Sequence, residues 1–138
     1  MTWVPTVAAA TRRARQRPWM NTKPLLIIDD DEAIRSALQI SVEMMGYTAF
    51  LAANGEEALG RLATMPAPGL ILLDLMMPVM DGWSFAEALS RKPEWAHIPI
   101  VVLTAFTGKT DTIPNARRVL RKPFDLTALM DAVHQFCA

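Results

Sequence analysis

Most of the chain alternates between short continuous apolar runs and stretches in which apolar residues recur at helical spacing. Continuous runs of about four apolar residues are typical of parallel strands that are buried on both faces. The clearest of them are residues 25–28, 70–73 and 100–103. Between the first two, apolar residues mark one helix face from Ile34 to Met45, and Gly46 ends that predicted helix. This alternation favours an α/β fold built on a parallel sheet.

Weaker patterns complete the predicted order of elements. Residues 47–52 and the pair Val119–Leu120 are predicted as the second and fifth strands. Asn54 and Asp125 can cap two further helices, and the turn at 81–82 leads into another. Parallel strands joined by right-handed crossovers place helices on both faces of one sheet. We therefore expect a doubly wound, five-stranded parallel sheet.

The segment between Thr104 and Lys122 departs from this pattern. A fourth helix is expected there, but Gly108, Pro114 and several polar residues leave room for only about two turns. Proline removes a backbone donor and clashes with the preceding turn, so a longer helix would be broken. The predicted fourth helix is therefore short or irregular.

Charge and composition divide the chain into two regions. Residues 1–22 carry four arginines and no acid, and we expect them to be a disordered basic extension, with the natural start either at Met1 or at Met20. Residues 23–138 carry ten basic and fourteen acidic side chains, and this net charge of −4 makes nucleic acid a poor partner.

We expect a single domain in residues 23–138, with no DNA-binding domain and no membrane segment. The single cysteine, Cys137, fits a reducing cytoplasm.

Polar side chains follow four of the predicted strands. Asp29, Asp30 and Asp31 follow the first strand, Asp74 follows the third, and Thr104 and Lys122 follow the fourth and fifth. Because the carboxyl ends of parallel strands meet at one edge of a sheet, these groups should converge there. Carboxylate oxygens suit Mg²⁺, and a carboxylate can attack phosphorus to form an acyl phosphate. The pattern predicts a divalent-cation and phosphoryl site around Asp74.

Each of these residues also has an ordinary structural explanation. Asp31 is a natural helix cap, Asp74 could begin a turn, Thr104 favours a strand, and Lys122 taken alone is a surface lysine. A cap requires one aspartate rather than three, however. The four motifs together, in this order, favour a functional site over four independent structural roles.

These motifs resemble those of the receiver domain of two-component response regulators, over about residue 23 to the C-terminus. The resemblance implies a flavodoxin-like fold and transfer of a phosphoryl group from a histidine kinase or histidine phosphotransfer protein to Asp74. It implies that Asp30 binds Mg²⁺ directly, that Asp29 binds it through water, and that Asp74 and the backbone carbonyl of Met76 complete the protein ligands. Thr104 and Lys122 match the phosphoryl-binding threonine and lysine. Such a domain catalyses only its own phosphorylation and dephosphorylation, and it signals to a downstream protein that the sequence does not identify.

Two features depart from the family pattern. The fifth-strand position that usually carries a switching aromatic ring is Val119 here, and the segment from Thr104 to Lys122 is about one helical turn shorter than in typical members. Met76 and Phe106 occupy the positions that flank the path of hydrolytic water, and neither side chain can orient water. The resemblance therefore implies a long-lived phosphoryl group and an unusual read-out.

Three alternatives compete with this interpretation. A pseudo-receiver would share the fold and bind proteins without phosphorylation, as Val119 and the short helix allow. A Mg²⁺-dependent phosphatase commonly has a second acid two residues after its nucleophile, where this chain has Met76. A flavin-binding flavodoxin-like protein would have a Ser/Thr-rich phosphate loop after the first strand, where this chain has three carboxylates.

Overall fold

The computed structural model describes residues 23–138, so the predicted basic extension at 1–22 lies outside the described part. None of the helices in residues 23–138 is long and apolar enough to cross a membrane. The chain forms five strands and four helices there, in the order β1 (Leu25–Ile28), α1 (Glu32–Met44), β2 (Ala49–Ala52), α2 (Gly55–Thr64), β3 (Leu70–Leu73), α3 (Gly82–Ser90), β4 (Ile100–Thr104), β5 (Ala116–Arg121) and α4 (Leu126–Cys137).

The five strands form one parallel sheet in the order β2-β1-β3-β4-β5. This confirms the predicted doubly wound, flavodoxin-like fold. The chain first adds β2 on one side of β1 and then returns to add β3 on the other side. The strand order therefore reverses between β1 and β3, and the carboxyl ends of these two strands border the crevice where such sheets bind ligands.

The sheet separates two apolar layers. Strands β1, β3 and β4 are buried on both faces, which explains why their sequences are continuously apolar. Helices α2 and α3 pack on one face around Phe85 and Leu89, and helices α1 and α4 pack on the other around Val42 and Leu129. Because full burial of one such side chain contributes about 1.5–3 kcal/mol, these layers hold the strand ends in a fixed relation.

All four described helices begin at an aspartate or asparagine cap. The side chains of Asp31, Asn54, Asp81 and Asp125 each accept a hydrogen bond from a backbone N–H of the first turn. Asp31 Oδ1, for example, accepts from the amides of Ala33 at 2.9 Å and Ile34 at 3.2 Å. Each cap stabilises its helix by about 1 kcal/mol. The caps predicted at Asp31, Asn54 and Asp125 are confirmed.

The segment between β4 and β5 contains turns and no helix, so the expected two helical turns do not form. Asn115 adopts a left-handed conformation with φ of 59°, which a helix cannot accommodate. Its side-chain amide donates to the carbonyls of Ala96 at 3.2 Å and Ile98 at 2.7 Å. Strand β5 then begins at Ala116, earlier than predicted, and has six residues rather than two. Buried Ile113 covers part of the sheet in place of a helix.

Gly82 lies at a close approach between α3 and the end of β3, and alanine should not fit there. An added Cβ would lie 2.5 Å from the carbonyl oxygen of Asp74 and 2.8 Å from Leu75 Cα, both of them backbone atoms. We expect Gly82→Ala to reduce the free energy of unfolding by about 1–3 kcal/mol in urea titrations. Gly60, inside α2, has open space around its Cβ position. Gly60→Ala should therefore raise stability by about 0.5–1 kcal/mol, and equal effects of the two substitutions would contradict the packing argument.

Candidate functional site

Asp29 and Asp74 lie side by side because their strands are paired. Ile28 and Leu73 are register partners in β1 and β3, so the next residue of each strand reaches the same edge of the sheet. The backbone amide of Asp74 donates to the carbonyl of Ile28 at 2.9 Å, which extends the ladder to the site. The two carboxylates therefore meet where the strand order reverses, as the sequence predicted.

The buried polar side chains of residues 23–138 are Asp29, Asp74 and Thr104, and all three lie at this edge. Asp29 is 2% exposed and Asp74 is 7% exposed, whereas Asp30 is on the surface. A buried carboxylate is unfavourable unless a cation or several hydrogen bonds compensate for its lost hydration. The burial of two neighbouring carboxylates therefore requires a positive partner.

Lys122 supplies that positive charge. Its Nζ lies 2.9 Å from Asp29 Oδ2 and 3.8 Å from Asp74 Oδ1, so a single ammonium faces both carboxylates. The backbone amide of Lys122 donates to the carbonyl of Thr104 at 2.8 Å, which joins the residue to the end of β4. The structure thus brings together the lysine, the threonine and the two buried acids that the sequence singled out.

Three carboxylates are placed to share a cation. Asp29, Asp30 and Asp74 each offer an oxygen within 4.8 Å of the others. Asp31 is committed to capping α1, while Asp29 Oδ1 accepts from the amide of Asp31 at 2.9 Å. Hard carboxylate oxygens, one of them exposed to water, are the donor set that Mg²⁺ prefers. The residues present therefore fit a magnesium site.

The electrostatic environment raises the pKa of Asp74 to about 6 from an ordinary value of 3.8. Burial is the main cause, and the charges of Asp29 and Asp30 raise the pKa further. Lys122 and the backbone N–H of Leu75 act in the opposite direction. A divalent cation among these carboxylates would relieve their repulsion and favour the ionised form.

Thr104 connects the site to the loop that follows β4. Its Oγ1 accepts from the backbone amide of Phe106 at 3.0 Å, which leaves the hydroxyl proton free for another acceptor. The ring of Phe106 packs edge-on against Trp83, with centroids 5.0 Å apart and an interplanar angle of 87°. Trp83 belongs to the first turn of α3, which follows the Asp74 loop. The hydroxyl, the loop and α3 therefore form one connected set of contacts.

The two positions that the sequence connected with phosphoryl lifetime and read-out have different surroundings. Met76 is 60% exposed, two residues beyond Asp74. Val119 is half-buried on β5 and packs against the apolar layer that holds α2 and α3. Its side chain has no ring that could move between an inward and an outward position.

Two arginines near the site were missed by sequence reasoning. Arg35 Nη1 donates to the backbone carbonyl of Asp29 at 2.6 Å, which ties α1 to the acidic loop. Arg121 donates from Nη1 to the carbonyl of Phe106 and from Nη2 to the carbonyl of Gly108 at 3.3 Å. Both bind backbone carbonyls, so no spacing of acidic residues in the sequence could indicate these contacts.

Known proteins resemble this chain in both sequence and fold. The response regulator receiver domain model matches residues 25–134. The DNA-binding dual master transcriptional regulator RpaA of Synechocystis is 39% identical over 113 residues, which cover 79% of this chain and 46% of that protein. This chain therefore spans less than half the length of RpaA. Sporulation initiation phosphotransferase F of Bacillus subtilis is 35% identical over 122 residues, covering 85% of this chain and 94% of that protein.

Solved structures show the same likeness. The response regulator TrrA of Thermotoga maritima, solved in complex with Mg²⁺-BeF, aligns with a TM-score of 0.73 and 28% identity over 83% of this chain and 98% of that chain. The chemotaxis protein CheY4 of Vibrio cholerae aligns with a TM-score of 0.75 and 28% identity over 83% of this chain and 98% of its own. The family match, the relatives and the fold agree, and the chain belongs to the response regulator receiver domain family.

Proposed function

We propose that this chain is the phosphoacceptor receiver of a two-component phosphorelay. Asp74 accepts a phosphoryl group from a histidine kinase or a histidine phosphotransfer protein, and the phosphorylated form signals by binding another protein. The observation that carries this proposal is the position of Lys122 Nζ between Asp29 and Asp74, beside a third carboxylate. The similarity to a protein named as a phosphotransferase and to one solved with Mg²⁺-BeF supports it.

The chemistry follows from the groups at the site. An oxygen of Asp74 attacks the phosphorus atom, a phosphorus–oxygen bond forms, and the bond from phosphorus to the donor nitrogen breaks. Asp29, Asp30 and Asp74, with the backbone carbonyl of Met76, would hold Mg²⁺, which neutralises charge on the transferred group. Lys122 supplies a second positive charge and Thr104 a hydroxyl donor. The chain would catalyse its own phosphorylation and dephosphorylation and no other reaction.

Val119 and the absence of a helix between β4 and β5 in the described residues favour one alternative, a pseudo-receiver that binds proteins without phosphorylation. The intact Asp74, Thr104 and Lys122 favour the phosphoacceptor. Phosphorylation of the wild-type protein separates the two functions.

We propose a cytoplasmic location, in keeping with the single cysteine. Burial raises the pKa of its thiol to about 12, which makes the thiol unreactive.

Acetyl phosphate or a phosphohistidine donor, with Mg²⁺, should label the protein once, and Asp74→Asn should abolish the label. The reason is that Asp74 is the carboxylate on which Lys122, Asp29 and Asp30 converge. Intact-mass measurement under mild conditions counts the phosphoryl groups. Asp81→Asn is the matched control, because it removes a carboxylate that only caps α3, and asparagine can also cap. A label that persists in Asp74→Asn would refute the acceptor assignment, and an unlabelled wild-type protein would favour the pseudo-receiver.

Mg²⁺ should raise the melting temperature, because a ligand that binds only the folded state stabilises it by about 2.7 kcal/mol at one hundred times its dissociation constant. Asp30→Ala should remove most of this gain. Asp31→Ala should lower the starting stability by about 1 kcal/mol through the lost cap and keep the Mg²⁺ gain. Thermal scans with and without Mg²⁺ on all three proteins measure both effects. If Mg²⁺ raises the melting temperature of Asp30→Ala as much as that of the wild type, the proposed ligand set is wrong.

The stabilisation of the folded state by Mg²⁺ should also depend on pH. Since the pKa of Asp74 is raised to about 6, the folded state binds more protons than the unfolded state between about pH 4 and pH 6. The contribution of Asp74 to the stability of the metal-free protein should therefore fall as pH rises through that window, and Asp74→Asn should remove this contribution. Mg²⁺ competes with the proton for Asp74, so its stabilising effect should shrink as pH falls through about 6. A stabilising effect of Mg²⁺ that increases as pH falls would contradict this prediction.

The aspartyl phosphate should be long-lived, with a half-life of many minutes or longer. In the receiver family, the residues two beyond the acceptor and two beyond the threonine flank the path of hydrolytic water. Here these residues are exposed Met76 and Phe106, and neither can orient a water molecule for attack. The double substitution Met76→Asn with Phe106→Glu should shorten the half-life, measured as loss of label after the donor is removed. Met44→Asn changes an equally apolar, exposed side chain on α1 and should leave the half-life unchanged. A wild-type half-life of seconds would show that this argument is wrong.

A further inference from the structure

Arg121 ends strand β5 directly opposite Thr104, its register partner in β4. Its guanidinium donates from Nη1 to the carbonyl of Phe106 and from Nη2 to the carbonyl of Gly108 at 3.3 Å. We call these two contacts the Arg121 latch. Within residues 23–138 Arg121 forms no salt bridge, so its partners are two carbonyls of one loop.

The latch acts where the chain lacks a helix. Residues 105–115 form bends, turns and irregular backbone, so their carbonyls do not have the regular partners that a helix would provide. The planar fork of a guanidinium can bind two acceptors at once, which a lysine ammonium does less well. Arg121 thus ties the start of this loop to the end of β5, one residue before Lys122.

The backbone of Phe106 is held from both sides. Its N–H donates to Thr104 Oγ1 at 3.0 Å, and its carbonyl accepts from Arg121. Its ring rests on Trp83, and Gly108 leaves room for that ring, because an added Cβ at Gly108 would lie 2.2 Å from Phe106 Cζ. Release of the carbonyl would free the amide that bonds to the Thr104 hydroxyl and the ring that packs against Trp83.

We propose that Arg121 is a positioning residue for phosphoryl transfer to Asp74, acting through Phe106 and Thr104. This inference rests on the proposed function of the site. By fixing Phe106, the latch keeps the Thr104 hydroxyl aimed as a donor and keeps the Phe106 ring in place as an apolar wall against water. The first effect favours transfer to Asp74, and the second prolongs the aspartyl phosphate.

Arginines on an edge strand also have a simpler role, which is to prevent edge-to-edge pairing with another sheet. Arg117 and Arg118 fit that role. Arg117 Nε donates to Asn115 Oδ1 at 3.0 Å and its guanidinium lies 6.0 Å from the Phe136 ring, while Arg118 bonds to Gln135 on α4. Neither side chain donates a hydrogen bond to a backbone carbonyl of residues 105–115. Arg118 therefore provides a matched control in the same strand.

The experiment measures phosphorylation of the full chain by acetyl phosphate over a range of Mg²⁺ concentrations. Arg121→Ala should reduce the maximal rate on the order of tenfold, since small misplacements of a catalytic donor have effects of this size or larger. The half-saturating Mg²⁺ concentration should not change, because Arg121 contacts none of the three acids. The aspartyl phosphate should be lost faster. Arg118→Ala should match wild type in all three measurements, and Arg121→Lys should lie in between.

Melting temperatures establish that each variant is folded. If Arg121→Ala does not fold, Gly108→Ala replaces it, because its methyl group displaces the Phe106 ring and leaves Arg121 unchanged. It should reproduce the shorter lifetime. A folded Arg121→Ala protein with wild-type rate and lifetime overturns the inference while the Asp74 assignment stands. If Arg121→Ala does not fold, a Gly108→Ala protein with a wild-type lifetime has the same consequence. A wild-type chain that takes up no phosphoryl group overturns the proposed function and this role together.

Discussion

Two buried carboxylates at the ends of adjacent strands impose the main constraint on this protein. Asp29 and Asp74 offer oxygens within 4.8 Å of each other, and two unit charges about 4 Å apart repel by about 4 kcal/mol at the effective dielectric of a protein surface. Lys122 faces both of them. The fold can bury these acids only if it delivers that ammonium to the edge of the sheet.

The position of Lys122 depends on β5, the edge strand that precedes it. Strand β5 is three positions from β1, about 14 Å at the usual strand spacing, which is longer than a lysine side chain. Since Nζ lies 2.9 Å from Asp29 Oδ2, the backbone of Lys122 must lie closer to Asp29 than that spacing. The backbone bond from Lys122 to Thr104 fixes its position beside the end of β4. The end of β5 thus helps to position the lysine of the acidic site, although β5 pairs with neither β1 nor β3, the strands that precede Asp29 and Asp74.

The parts that could be predicted from sequence are those that local physics determines. Strands buried on both faces must be apolar throughout, so β1, β3 and β4 could be predicted from continuous apolar runs. Because the carboxyl ends of parallel strands meet at one edge of a sheet, Asp29, Asp74 and Thr104 could then be predicted to lie together. Helix caps depend on one residue and the turn that follows it. The role of Asp31 was therefore readable from its position alone.

The parts that could not be predicted depend on contacts distant in sequence. Strand β5 lies at an edge, where charged residues are tolerated, so Arg117 and Arg118 obscured its length. Arg35 and Arg121 bind backbone carbonyls, and any surface arginine could do so if the backbone came near. The left-handed turn at Asn115 is stabilised by carbonyls of residues 96 and 98, which local sequence does not bring close.

The loop between β4 and β5 is attached at two points, of which the one at Phe106 contacts Thr104 directly. Ile113 is buried, which contributes about 1.5–3 kcal/mol, and Asn115 adds two hydrogen bonds to residues before β4. Phe106 is half-buried against the layer that holds α2 and α3, and its backbone bonds to the Thr104 hydroxyl and to Arg121. Under the proposed function, a phosphoryl group that engages Thr104 would act first on the attachment at Phe106. Because Val119 has no ring to move, hydrogen exchange should then change at residues 104–108 and stay unchanged from Ile113 onward.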